Sequence, residues 1–284
     1  MNKEKIGIIG LGLVGTAVSE RLMDSGFEVI GYDVNPKLSK SIQIGSSPRE
    51  IFSNCERIVL CLPTSRIVID VINESRDYLR SGQTVIDTGT GSIDEMFQIH
   101  ETLNQNNVSY IEATIAGSSE LLRKKEAKLF TAGDISKVEN QQDLFSALTD
   151  KSFYLGDFGN ATKFKLVHNL IIGLNRAVLA EGLQFAQSIG IDPKKALKIL
   201  KETPAASGVM KTKGQRMTDR DYEPPQALIS QHLKDVKLIL SESEKSNAVV
   251  PLSNLHRELL DNLESRGFGN ADNSAIIEAF ISKN

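Results

Sequence analysis

The stretch Lys5-Ile6-Gly7-Ile8-Ile9-Gly10-Leu11-Gly12-Leu13-Val14-Gly15 decides the fold. Its first half is near-continuously apolar, which predicts a buried strand, and the glycines that follow have the spacing G-x-G-x-x-G. Each glycine has a steric reason. Gly10 permits a tight turn, Gly12 lets the backbone approach a pyrophosphate, and Gly15 lets the next helix pack closely on the strand. Leu11, Leu13 and Val14 complete the cofactor-binding turn, and the N-terminus of the helix that follows adds free N–H groups and partial positive charge. Alone, the spacing is a weak signal. Here an amphipathic stretch from Thr16 to Ser25 predicts the helix, and Phe27 to Tyr32 predicts a second strand. That strand runs into Asp33, where an acidic residue accepts hydrogen bonds from adenine-ribose hydroxyls. A carboxylate there repels a 2′-phosphate, so NAD is favoured; Asn35 and Lys37 follow closely and keep NADP open.

The same alternation continues outward. Ile58 to Leu62, Thr84 to Asp87, Ser109 to Glu112 and Leu129 to Ala132 are further β-rich runs separated by helical segments. This rhythm predicts βαβ units on a doubly wound parallel sheet, with helices on both faces. After Tyr154-Leu155-Gly156-Asp157-Phe158-Gly159 the β-rich runs stop. Two domains are expected: a dinucleotide-binding domain over 1–160 and an all-α domain for substrate and oligomerisation over 161–284. The apolar pattern from Ala161 to Ile189 predicts one long helix between them. Gly190-Ile191-Asp192-Pro193 supplies a stop and a capped restart. Further helices are predicted over Lys194–Glu202, Leu228–Lys245, Leu252–Ser265 and Ser274–Ile281, while Thr203–Pro225 reads as an irregular link.

Composition narrows the partners. A net charge of −3 and a pI near 5.9 give no field that would attract nucleic acid or an anionic membrane. No apolar run approaches the roughly 18 to 20 residues of a membrane span. Cys55 and Cys61 lie too close in sequence for a useful disulfide and read as reduced thiols, and Met1-Asn2-Lys3 leads straight towards a strand. A cytoplasmic protein acting on a small molecule, with no metal, is the expectation.

Lys165 and Asn169 are four residues apart in the long predicted helix and therefore share a face. A lysine sheltered between domains can exchange a proton near neutral pH, with an amide one turn away to orient the oxygen. Read from spacing alone, a lysine such as Lys165 on a helix is usually a solvated surface charge, and His168 more often a packed or hydrogen-bonded histidine than a catalyst.

Six segments occur in an order that resembles the β-hydroxyacid dehydrogenases, the family of 3-hydroxyisobutyrate dehydrogenase and the glyoxylate/succinic semialdehyde reductases. They are Gly10 to Gly15, Cys61-Leu62-Pro63, Asp87-Thr88-Gly89-Thr90, Glu112-Ala113-Thr114-Ile115-Ala116-Gly117-Ser118, Lys165-Leu166-Val167-His168-Asn169 and Lys234-Asp235. The resemblance covers nearly the whole chain. It implies that Lys165 gives and takes the proton while Asn169 places the substrate. It implies cofactor contacts from Leu62, Pro63, Thr90 and Lys234, and a substrate carboxylate received at Gly117 and Ser118. The reaction implied is hydride transfer between a nicotinamide and a small 3-hydroxy acid or its semialdehyde, in a homodimer or homotetramer.

Three positions depart from the family pattern: Ala116 and Gly89 stand where serine is usual, and Lys125 stands where glycine is usual, inside the run Arg123-Lys124-Lys125-Glu126. That run reads either as a solvated face or as a basic patch meeting an anionic substrate. Two other functions remain open: a nucleotide-binding regulatory module without turnover, and an imine reductase, against which Lys165 counts. A 6-phosphogluconate dehydrogenase would need a larger helical domain.

Overall fold

Strands form where the apolar sequence is near-continuous and covered on both sides. The computed structural model describes residues 4–35 and 42–281. The order is β1 (Lys5–Ile9), α1 (Leu13–Asp24), β2 (Glu28–Tyr32), β3 (Gln43–Ile44), α2 (Pro48–Asn54), β4 (Arg57–Leu60), α3 (Ser65–Glu74), β5 (Thr84–Asp87), α4 (Ile93–Asn104), β6 (Ser109–Ala116), α5 (Ser119–Arg123), β7 (Lys128–Ala132), α6 (Ile135–Glu139), α7 (Gln142–Leu148) and β8 (Ser152–Tyr154). The described strands make one sheet in the order β3-β2-β1-β4-β5-β6-β7-β8. Side chains alternate between two cores as the pleat requires: Ile6, Ile8 and Val59 enter the core that holds Leu22 of α1, whereas Ile9, Ile58 and Leu60 enter the one that holds Phe52 of α2.

The sheet is doubly wound and predominantly parallel, with one antiparallel pair. β6 and β7 pair antiparallel, Glu112 opposite Ala132, while every other pair is parallel. The physical reason is the link: Gly117 to Ala127, with only the short α5, falls short of the dozen or so residues of a parallel crossover. β3 and β8, both short, carry too little pattern to be read from sequence. The strand expected over Ile58–Leu62 ends at Leu60, so Cys61 and Leu62 belong to the loop beyond it.

The rest of the chain is helical: α8 (Asn160–Ser188), α9 (Pro193–Leu200), α10 (Gly208–Thr212), α11 (Gly214–Asp219), α12 (Ile229–Ser246) and α13 (Pro251–Leu263), with a 3-10 stretch over Asn273–Phe280. The segment read as an irregular link, Thr203–Pro225, contains α10 and α11, and the last expected α-helix is that 3-10 stretch. The chain divides into two compact units, 1–165 and 166–284. The second has its own core, built from Leu183 on α8, Leu233 and Val236 on α12 and Leu260 on α13 among others. Among the described residues, no helix is long and apolar enough to cross a membrane.

Candidate functional site

Because β1, β4, β5 and β6 are mutually parallel, their C-terminal ends share one edge of the sheet. The loops that follow them carry most of the residues singled out from sequence. β1 lies between β2 and β4, the point where chain order reverses and open α/β sheets form a crevice.

At the glycine turn, Gly10 has φ +95° and a Cβ there would lie 2.5 Å from the carbonyl oxygen of Cys61. A Cβ on Gly15 would meet the Gly10 carbonyl oxygen at 1.8 Å, whereas one on Gly12 would meet nothing within 4 Å. Turn and helix are therefore packed tight at Gly10 and Gly15 and left open at Gly12. Gly12 is the N-cap of α1, and no side chain caps that end. Asp33 ties the turn down: Leu11 N–H donates to its Oδ2 at 2.6 Å and Asn35 N–H to its Oδ1 at 2.7 Å. These features fit a dinucleotide. Lys37 lies outside the described residues.

After β4 come Leu62 and Pro63, then Thr64, which caps α3 by accepting from Ile67 N–H. After β5, Asp87 Oδ1 accepts from Gly89 N–H at 2.8 Å and its Oδ2 accepts from the Tyr110 hydroxyl at 2.6 Å, with Thr90 buried beside them. A Cβ on Gly89 would sit 3.0 Å from Asp87 Oδ1 and 3.2 Å from the Leu62 carbonyl oxygen, so this loop is built around glycine. After β6, Gly117 leads to Ser118, whose hydroxyl accepts from Leu121 N–H as the N-cap of α5 and keeps its proton to donate. Ala116 packs against the small core of Phe130, Ala132 and Ala161. Lys125 has φ +61°, a left-handed conformation that favours glycine. Its neighbours are engaged locally, Arg123 with Glu20 at 2.6 Å and Lys124 with Glu120 at 2.7 Å, as on a solvated face.

On α8, Lys165 is only 8% exposed and Asn169 only 5%. Asn169 Nδ2 donates to Asp235 Oδ2 at 2.9 Å, and Asp235 Oδ1 is 2.8 Å from Lys234 Nζ. His168 Nδ1 is 3.2 Å from Asn169 Oδ1. The carboxamide is thus oriented with its NH2 towards Asp235 and its oxygen on the other side. Among the described residues, no cluster of side chains could hold a metal ion.

Two family models match the chain end to end. Residues 5–156 match the NAD-binding domain of 6-phosphogluconate dehydrogenase, and residues 159–280 match the model described as NAD-binding of NADP-dependent 3-hydroxyisobutyrate dehydrogenase. The chain belongs to the β-hydroxyacid dehydrogenase family. A member from Arabidopsis thaliana, glyoxylate/succinic semialdehyde reductase 1, is 28% identical, covering 97% of this chain and 98% of its own. The mouse cytokine-like nuclear factor N-PAC is 26% identical over 98% of this chain, but only 51% of its own length is spanned. A 3-hydroxyisobutyrate dehydrogenase from Salmonella typhimurium has the same fold, with a TM-score of 0.90 at 21% identity over 98% of this chain and 100% of its own.

Two acids within the quoted segments have partners that the residue pattern does not show. They are Asp235, beside Lys234, and Glu112, at the head of the Glu112–Ser118 segment. Glu112 carries a signal, an acidic residue inside the apolar run Tyr110-Ile111-Glu112-Ala113, where a carboxylate is seldom placed unless it holds something; Asp235, between Lys234 and Val236-Lys237, carries none.

Proposed function

We propose that the chain catalyses reversible hydride transfer between a nicotinamide and a small 3-hydroxy acid or its semialdehyde, with Lys165 as general acid and base. The observation that carries this reading is a buried lysine one helical turn before a buried asparagine whose amide is held by a carboxylate. Lysine is seldom buried unless its charge is paired or employed.

Bound nicotinamide would supply or accept the hydride. Lys165 donates a proton to the substrate carbonyl oxygen during reduction and takes it back from the hydroxyl during oxidation. Asn169, with its NH2 directed to Asp235, presents its oxygen to a substrate hydroxyl. Gly117 N–H and the Ser118 hydroxyl receive the carboxylate. Gly10 to Gly15 cradle the pyrophosphate, Leu62, Pro63, Thr90 and Lys234 flank the remainder of the cofactor, and Asp33 favours NAD over NADP. Both cysteines are free thiols, in keeping with a cytoplasmic enzyme.

Lys165→Ala tests the assignment directly. Turnover of short aldehydes, followed by nicotinamide absorbance with NADH and with NADPH, is expected to fall by about 10²-fold or more. Cofactor affinity should stay nearly unchanged. Near-normal turnover in that variant would remove Lys165 from the reaction. Tight cofactor binding with no aldehyde or hydroxy acid turned over by the wild type would instead favour the regulatory reading, and turnover of cyclic imines the imine reductase.

A further inference from the structure

Glu112 is fully buried, and nothing in the chemistry above employs it. It stands on β6, in register with Asp87 of β5 and Ala132 of β7. Backbone from beyond the sheet answers its charge: Oε2 accepts from Gly159 N–H at 2.6 Å, and Oε1 accepts from Thr162 N–H at 2.9 Å. Gly159 immediately precedes α8 and Thr162 is its third residue. A helix leaves its first N–H groups unsatisfied, and a residue of the helix's own sequence usually caps them. Here a side chain delivered from the sheet does so.

The arrangement does more than satisfy donors. Two oxygens on amides at opposite ends of the first turn fix both the position of the helix start and its rotation about the axis. Lys165 follows Thr162 by three residues, about 4.5 Å along that axis. Glu112 is also on the strand that runs directly into Gly117 and Ser118. Next to it, Asp87 holds Gly89 N–H, one residue before Thr90. Burial pushes the Glu112 carboxyl up, against the pull of hydrogen bonds from Thr162 and Gly159. A buried carboxylate costs several kcal/mol of desolvation, so an apolar contact would serve stability alone at lower cost.

We propose that Glu112 is the positioning residue for Lys165: it clamps the first turn of α8 to β6 and thereby sets where Lys165 Nζ stands relative to the Gly117–Ser118 loop. This deepens the assignment of Lys165 and rests on it.

The test uses the full chain carrying Glu112→Gln, which keeps one acceptor oxygen and turns an NH2 towards a backbone N–H, and Glu112→Asp, which keeps the charge but falls short of both amides. In Glu112→Gln, kcat is expected to fall about 10- to 100-fold, the size of effect produced by misplacing a reacting group by about 1 Å. The KM for cofactor should hold. The solvent deuterium isotope effect on kcat should rise as proton transfer becomes limiting, and Glu112→Asp should lie between Glu112→Gln and wild type. A residue that merely stabilised the fold would lower the active fraction and leave the isotope effect alone; that result, or an unchanged kcat in a folded Glu112→Gln, overturns the proposal.

Amide hydrogen exchange separates this from the parent reading. Exchange at Gly159 and Thr162 should accelerate in Glu112→Gln while the Gly10–Gly15 turn keeps its wild-type rate. If no aldehyde is turned over even by wild type, the function assigned to Lys165 fails while exchange still decides the clamp. Should neither variant fold, the wild type decides: slow, sheet-like exchange at Gly159 and Thr162 supports the clamp, and exchange at the rate of a frayed helix end overturns it.

Discussion

At the scale of single residues, Asp33 carries two loads. Its carboxylate accepts the N–H groups of Leu11 and Asn35, which ties down the turn, and it stands at the end of β2, where the proposed cofactor's ribose would meet it. A hydrogen bond to a charged group contributes about 1.5–3 kcal/mol, so replacing it should loosen the turn as well as change its selectivity. Asp33→Ser is expected to weaken NAD binding by about tenfold or more and to raise the NADP-to-NAD affinity ratio. Fluorescence titration with both reduced cofactors measures this, and an unchanged ratio would detach cofactor choice from Asp33. Lys125 illustrates the opposite case, a residue whose backbone conformation suits glycine and whose neighbours Arg123 and Lys124 pair with Glu20 and Glu120. Nothing about it asks for a substrate.

At the scale of elements, the packing of α8, α12 and α13 in the second unit encloses polar groups. A Cβ on Gly173 of α8 would lie 2.4 Å from His232 Nε2 and 2.8 Å from His256 Cε1, so only glycine lets the two imidazoles pack against this helix. Their ring centroids are 5.1 Å apart. An unfolded histidine takes up its proton near pH 6.5, but burial, followed by the Arg176 cation, lowers His256 to about 4. Between those values the unfolded state binds more protons. Stability present above pH 6.5 is therefore lost as the pH falls towards 4, by up to about 3 kcal/mol. His256→Leu should flatten that part of the profile in thermal melts taken between pH 7 and 4; an unaltered slope would place the loss on other groups.

At the scale of the whole molecule, α8 is apolar on two faces. One face packs inward through residues such as Leu183. The other leaves Ile171, Val178 and Phe185 exposed at 54%, 67% and 64%, spaced seven residues apart. A seven-residue apolar repeat is the seam along which helices pair, and exposed patches of this kind mark contact sites. We expect a second copy of the chain to cover it, as a homodimer or within a homotetramer. Phe185→Glu combined with Val178→Glu should lower the mass measured by sedimentation, and an assembly unmoved by both would place the interface elsewhere.

The sequence by itself determined the Rossmann half to a large extent. Near-continuous apolar runs, three glycines and an acid at a fixed offset are local signals, each tied to a backbone conformation or a close approach at that position. The long α8 was equally legible, because nearly thirty residues carried one period without a breaker. Strand partners were not, since the antiparallel β6–β7 pair depends on the length of a link, and β3 and β8 are too short to show alternation. The roles of Glu112 and Asp235 depended entirely on tertiary structure. A carboxylate reads as solvated until the fold reveals which distant amide it meets, and Glu112 meets Gly159 and Thr162 nearly fifty residues away. Contacts that far apart in sequence leave no period and no spacing to read.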